Sequence, residues 1–333
     1  MRKLLLTSTA LVTAASISSY AMADVSVTGG FEWTYKSVSS SVATTDGDSF
    51  GSDNTLTISF SNKTDSGLTV SGVYDVDADQ AGATSMDESY MQISGGFGSV
   101  SLGQNDSTND GFGIGEHDLI DEDLSSAPAN SSIVTNAGEA GNTDNNKITY
   151  TSPAMGGFKA GYSMYDSGTA AQSTDQRSMG ASYDMALDGG TLSIKYNKQT
   201  TDGTAALENE ASNYGAKLTM GAASVIVAHG ESTIGAGASQ TDDREANGIS
   251  LSYNMGGGVK VGVSTMEATD SKDKTAAGVE EKYTAKAAEV SYTIAPGLSA
   301  KFTYLDFDYK AGGETASADD SGSISQVTIS ASF

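Results

Sequence analysis

Apolar and polar residues alternate along most of this chain. Val25, Val27, Phe31, Trp33 and Tyr35 are separated by Ser26, Thr28, Glu32, Thr34 and Lys36. A period of two sends alternate side chains to opposite faces of a strand. The pattern recurs at Leu56, Ile58 and Phe60, at Leu68, Val70 and Tyr74, and at Leu192, Ile194 and Tyr196. It recurs again at Ile249, Leu251, Tyr253 and Met255, and at Val259, Val261 and Val263. Apart from the N-terminal leader and the 116–124 stretch, no segment repeats every 3.6 residues as a helix would. The chain reads as all-β.

The connections fall into two classes. Short ones lie near 62–67, 95–98, 152–157, 185–190, 220–223, 255–258 and 294–297, with turn residues such as Gly189-Gly190 and Pro296-Gly297. Long polar ones lie near 39–53, 78–87, 105–146, 166–176, 199–212, 230–245, 267–281 and 309–322. Pro128, Pro153 and Pro296 all fall in connections, as a backbone lacking an N–H requires. Seven short and eight long connections predict sixteen strands with both chain ends on the short-turn side.

Alternation also suits a soluble sandwich. Three features favour a membrane barrel instead. The strands read as about nine to twelve residues, long enough to cross a bilayer at a tilt. Long and short connections take turns throughout, as in outer-membrane barrels. Aromatics mark strand ends at Tyr150, Phe158, Tyr183, Tyr196, Tyr283 and Phe333, where a ring suits the membrane interface. In hydrocarbon every peptide group must be paired, so the sheet must close. The second face of the strands carries Ser, Thr, Gly, Asn, Lys and Glu, and a barrel of this width is too wide for side chains to fill. The prediction is a sixteen-stranded antiparallel transmembrane β-barrel with a water-filled interior.

Residues 1–23 read as a signal peptide: Arg2 and Lys3, an apolar run from Leu4 to Val12, then Ala21-Met22-Ala23. Residues 24–333 form the barrel domain, and an exported barrel belongs in a bacterial outer membrane. No apolar run is long enough for a membrane-spanning helix. The formal charge is −24, and without Arg2 and Lys3 it becomes −26, from 16 basic and 42 acidic side chains. That balance argues against nucleic acid as a partner. The absence of cysteine excludes disulfides, thiolate metal sites and cysteine nucleophiles. Neither His117 nor His229 accompanies a nucleophile elbow, and Gly111-Phe112-Gly113-Ile114-Gly115 lacks the ending of a phosphate loop, so the chain reads as a non-enzyme.

Three segments resemble the Gram-negative general porin family. Gly96-Phe97-Gly98-Ser99-Val100-Ser101-Leu102-Gly103-Gln104 resembles the strand entering that family's constriction loop. Lys147-Ile148-Thr149-Tyr150-Thr151-Ser152-Pro153 resembles the strand leaving it, and Val327–Phe333 resembles the last strand. The resemblance implies a homotrimer with passive, size-limited diffusion and a third loop folded into the bore. It also implies that the barrel-assembly machinery reads the terminal Phe333. Members commonly carry Arg where this chain has Gln104.

The 105–146 segment is the longest connection and so the candidate constriction loop. It carries no Lys or Arg between its ends, and its dense acidic run holds Glu116, Asp118, Asp121, Glu122 and Asp123. Low-dielectric walls focus such a field and favour cations. Across from it, lumen-facing lysines are expected: Lys195, Lys217 and Lys301 near mid-strand, with Lys159 and Lys260 closer to short turns. The predicted activity is passage of small hydrophilic solutes and ions with weak cation preference. A solvated acidic loop, and a structural or adhesive surface barrel, are the rival readings. Asp106 and Asp110 begin a stretch that partly resembles a calcium loop, so weak Ca2+ binding is expected there. The exterior acids Asp46, Asp48, Asp53, Asp242, Asp243, Asp319 and Asp320 would bridge through such ions to lipopolysaccharide.

Overall fold

The computed structural model describes residues 24–42, 46–77, 85–120, 145–166, 175–202, 209–235, 242–274, 280–312 and 319–333. The proposed signal peptide lies outside these residues. Sixteen strands run β1 (Asp24–Ser40), β2 (Gly47–Lys63), β3 (Thr69–Asp77), β4 (Ser85–Gly95), β5 (Gly98–Gln104), β6 (Asn146–Thr151), β7 (Phe158–Tyr165) and β8 (Gln176–Leu187). They continue β9 (Gly190–Thr201), β10 (Asn209–Met220), β11 (Ala223–Ile234), β12 (Asp242–Gly256), β13 (Val259–Lys274), β14 (Glu280–Ala295), β15 (Leu298–Lys310) and β16 (Asp320–Ser332). Each pairs antiparallel with its sequence neighbours, and β1 pairs with β16 to close the ring. The final residue completes the seam: the backbone groups of Gly29 and Phe333 exchange two hydrogen bonds of 3.1 Å. The Phe333 ring lies where a Cβ on residue 29 would stand, 2.7 Å from Cζ, so glycine is required there.

The alternation resolves into lipid-facing and lumen-facing sides. On β12, Ile249, Leu251, Tyr253 and Met255 are exposed outward, while Gly248, Ser250 and Ser252 point inward. On β1 the outward residues include Phe31 and Trp33, and the intervening Glu32 accepts a bond from Ser330 Oγ across the seam at 3.0 Å.

Strand length departs from expectation. The strands range from 6 residues in β6 to 17 in β1 and β2. The polar stretches assigned to long loops are partly strand: β13 runs to Lys274 and β14 starts at Glu280. The outward face explains this. After Val259, Val261 and Val263 it continues as Thr265, Glu267 and Thr269, so the ladder extends past the apolar band with a water-compatible outside. The Glu267–Lys282 ion pair of 2.8 Å joins these outer faces.

The inside of that extension is apolar. Ile226, Ala228, Ala246, Met266, Ala268, Tyr283, Ala285, Ala287, Leu305, Phe307, Tyr309 and Ile324 are buried in one cluster with Ile114, Leu119 and Ile120. The upper inner wall from β11 to β16 is therefore packed, where a wholly polar, wet interior was expected. Tyr283, expected in the aromatic belt, is 1% exposed inside this cluster. Its parity explains the difference: Tyr283 shares the inward side of β14 with Ala285, Ala287 and Glu289. Tyr150, Phe158, Tyr183, Tyr196 and Phe333 do face outward.

The apolar band makes a depth-dependent prediction. Leu251→Arg should cost about 2–4 kcal/mol, and Asn247→Arg, one turn of the pleat above the band, about 0–1 kcal/mol. Denaturant unfolding of barrels refolded into lipid vesicles measures both. Equal costs at the two positions would contradict this placement of the bilayer.

Candidate functional site: the loop inside the barrel

After β5 the chain turns into the bore. Asn105 is buried and donates through Nδ2 to the Gly103 carbonyl at 2.7 Å, while Thr149 Oγ1 donates to Asn105 Oδ1 at 2.8 Å. The Asp106 N–H donates to Glu88 Oε1 at 3.1 Å. A one-turn helix, Thr108–Phe112, follows, capped by Ser107, whose side chain accepts from Asn109 N–H at 3.2 Å. A second short turn, Glu116–Asp118, comes next.

Wall side chains hold this segment strand by strand. Thr108 Oγ1 donates to Ser178 Oγ on β8 at 2.7 Å, and Asn109 Nδ2 donates to Gln199 Oε1 on β9 at 2.8 Å. Lys195 Nζ donates to the Gly113 carbonyl at 3.0 Å. Asn213 on β10 grips the backbone of Ile114 twice, accepting its N–H at Oδ1 and donating from Nδ2 to its carbonyl, each at 3.0 Å. Ser264 on β13 donates to the Glu116 carbonyl at 3.4 Å.

Beneath these bonds lies a track without side chains. A Cβ on Gly161 or Gly180 would stand 2.5 Å from Phe112 atoms. One on Gly215 would stand 2.7 Å from Ile114, and ones on Gly248 and Gly262 would stand 2.5 Å from Glu116 and Ile120. Mid-strand glycine weakens a strand and marks close approach of another chain segment. All five lie at inward positions, so the sequence held a readable signal for the seat of the loop that composition alone did not reveal.

The charges are arranged differently from the expectation. In a ring of sixteen strands β3 stands across from β11, and the Glu116–Asp118 turn packs against β11, β12 and β13. Lys195, Lys217 and Lys301 belong to β9, β10 and β15, so they share the loop's side of the bore. Lys195 is tied to the loop backbone. Lys217, Lys260 and Lys301 line recesses under the loop around Asp118. Lys159 points into the lumen from the second residue of β7. The facing wall carries acids at inward positions of β1, β2 and β3: Glu32, Asp75 and Asp77, which the sequence did not single out, and Asp53, which was expected among the exterior acids but lies within β2 opposite Glu32. Thr57 donates to Asp75 at 3.0 Å. Asp87 lies in the combined field of Asp75, Asp106, Asp77 and Asp53.

The predicted loop acids separate in role. Glu116 is fully buried, its oxygens accept no hydrogen bond among the described residues, and His117 Nδ1 lies 4.0 Å away. It packs into the wall and does not line the pore. Asp118 is partly exposed, with Oδ2 accepting the Gly115 N–H at 3.1 Å and His117 Nε2 at 3.9 Å from Oδ1. Asp121, Glu122 and Asp123 lie outside the described residues. Asp110 is exposed to the bore; partial burial and the neighbouring Asp106 and Asp118 raise its carboxyl above the usual range, against the pull of Lys195. Among the described residues no group of three acidic, histidine or cysteine side chains converges to hold a metal, so the calcium expectation at Asp106 and Asp110 finds no coordination shell. Of the outer acids, Asp320 accepts from Ser40 and Ser41, and Asp242 pairs with Arg244.

A closed sixteen-stranded barrel with an apolar outer band and a loop folded into its bore defines a channel of the outer-membrane type. The model of the Gram-negative porin family matches residues 7–312, and the chain belongs to that family. No curated protein sequence matches. Among solved structures the fold is similar to the trimer form of OmpT, an outer membrane protein of Vibrio cholerae, at 12% identity and TM-score 0.70, over 93% of this chain and 99% of that one. It is also similar to an anion-selective porin from Comamonas acidovorans, at 16% identity and TM-score 0.68, over 94% and 100% of the two chains. The outer membrane channel DcaP of Acinetobacter baumannii matches at 13% identity and TM-score 0.68, over 96% and 100%. The protein is an outer-membrane porin.

The seat of the loop is testable at Asn213. Replacing it with leucine strands a buried backbone N–H and carbonyl, costing about 1–3 kcal/mol at the seat. Single-channel recordings of Asn213→Leu should show noisier and larger steps than the parent. Steps of unchanged size and noise would show that the loop is held elsewhere.

Proposed function

We propose that the protein is a passive diffusion channel for small hydrophilic solutes and ions, weakly selective for cations and assembled as a homotrimer. The observation carrying this reading is the acidic wall: Glu32, Asp53, Asp75 and Asp77 face the bore, joined by Asp106, Asp110 and Asp118 from the loop. Fixed charge of one sign in a water passage with low-dielectric walls raises the local concentration of its counter-ion. Lys36, on the same inward face of β1 as Glu32, and Lys217, Lys260 and Lys301 under the loop moderate that preference. The Comamonas neighbour is named for the opposite selectivity. Shared fold does not carry selectivity, which depends on the residues each bore presents.

The trimer is supported by the family and by the Vibrio neighbour solved as a trimer. Lipid and lipopolysaccharide are the partners of the apolar outer band. Phe333, 65% exposed at the seam, suits recognition by the barrel-assembly machinery. Asp110 and its neighbours are read as pore charges, not calcium ligands. A second reading, a structural or adhesive barrel, draws on the packed inner wall between β11 and β16; it predicts no conductance.

Reversal potential across a KCl gradient in planar bilayers tests the main reading. A potential favouring K+ is expected, anion preference would reject it, and absence of conductance would favour the rival. A pH series adds a check. A raised carboxyl loses its charge at higher pH than an ordinary aspartate, so on acidification Asp110 is neutralised early and cation preference should begin to fall above the usual carboxylate range. Asp110→Asn should remove that early portion of the decline.

A further inference from the structure

The outward faces of β9 to β12 form a regular grid. One row across these four strands is Ile194, Ala216, Val227 and Ile249, each the cross-strand partner of the next. Ala216 is its small member, and the row floors a recess of about 580 Å3 on the outside of the barrel. The next row toward the strand tops is Tyr196, Tyr214, His229 and Asn247, and the one after it is Lys198, Ser212, Glu231 and Glu245. Apolar, amphipathic and charged rows thus succeed one another, as at the edge of a hydrocarbon layer. Neither tyrosine hydroxyl of the middle row has a hydrogen-bond partner among the described residues. His229 packs on Tyr214 with ring centroids 4.9 Å apart, and its Nε2–H donates to Glu231 Oε1 at 3.1 Å. Lys198 is committed to Glu210 at 2.7 Å. Glu245 is exposed directly opposite Glu231 and has no hydrogen bond or ion pair among the described residues. Like charges directly opposed across a ladder are destabilising unless a cation joins them.

An occupant of this recess must be apolar over Ala216, able to accept hydrogen bonds at the tyrosines, and positive at the glutamates. We propose that it is a binding site for one phospholipid with a primary-amine headgroup, of the phosphatidylethanolamine class. An acyl chain lies over Ala216 between Ile194 and Val227, the phosphate accepts from the Tyr196 and Tyr214 hydroxyls, and the ammonium sits between Glu245 and Glu231. A primary ammonium has three N–H donors to divide between two carboxylates. A trimethylammonium head has none, and a glycerol head would leave both carboxylates facing the phosphate charge. The inference rests on the reading of the apolar band as lipid-facing. It makes contact with the membrane chemically selective at one place on the wall, with Glu245 as the specificity-determining residue.

Native mass spectrometry tests it, on the porin extracted from vesicles of equal parts phosphatidylethanolamine, phosphatidylcholine and phosphatidylglycerol with matched acyl chains. The ethanolamine lipid should be retained about three- to five-fold over either competitor, the scale of one partly solvated ion pair. Glu245→Gln should lower its retention to that of the choline lipid and leave the other two unchanged. Ala216→Phe, which fills the recess, should lower retention of all three. Both side chains lie outside the bore, so unchanged single-channel conductance confirms that each variant is folded. Equal retention of the three lipids by the parent, or an unaltered Glu245→Gln profile, would overturn the site. Preferential retention of the glycerol lipid on adding Mg2+ would make the glutamates a divalent-ion bridge and overturn the amine assignment. Loss of the oligomer in Ala216→Phe would make the recess a contact between copies of the chain and overturn the lipid site. An inserted barrel with no lipid preference would refute the site alone; a barrel that does not enter vesicles would refute the lipid-facing band itself.

Discussion

A peptide group without a partner in hydrocarbon costs several kcal/mol, and no water is there to supply the partner. That penalty dictates the architecture. The ladder must close, so β1 meets β16 and the last residue doubles back onto Gly29 through two backbone bonds. Closure puts one face of every strand in lipid and the other in the bore. Outward Leu251 and inward Ser250 are neighbours in sequence and belong to different solvents. Function follows from the same division, because the inward face of β1 to β5 has nothing to do but bind water, ions and the loop.

Filling the bore is the second physical problem. On one side the wall is lowered to make room: five glycines on β7, β8, β10, β12 and β13 clear a path, and polar side chains between them reach up to the loop backbone. Each wall bond exchanges a water for a protein partner and is individually modest, but together they fix a segment with only two short turns of its own. Above that path the inner wall becomes apolar and packs with Ile114, Leu119 and Ile120. On the other side the wall stays polar and acidic. The bore is thus divided by chemistry into a packed half and a wet half, and the wet half carries the carboxylates.

Much of this was legible from the chain. Period-two alternation was plain in about a third of the strands, because lipid imposes a strict apolar outside, and the count of seven short and eight long connections supplied the total of sixteen. The strand tops were not legible. Beyond the bilayer the two faces exchange character, so Met266, Ala268, Phe307 and Tyr309 alternate with Glu267, Thr269, Asp306 and Asp308. Those runs look like polar loops until both sides are known. Charge was assigned to the loop because its acids are contiguous, whereas Asp75 and Asp77 alternate with Tyr74 and Val76 and look like an ordinary strand. The expectation of lysines opposite the loop failed for a related reason. Inward parity can be read from sequence, but which side of the ring faces the loop depends on where the loop runs.

The central claim is that a continuous water path follows the acidic wall. The chain contains no cysteine, so a single introduced thiol reports without background. Asp75→Cys, treated in planar bilayers with a membrane-impermeant cationic thiol reagent, should react fully and step the conductance down, while the outward Phe302→Cys should leave the current unchanged. A thiol at position 75 that stays unmodified in a folded, inserted barrel would contradict the account.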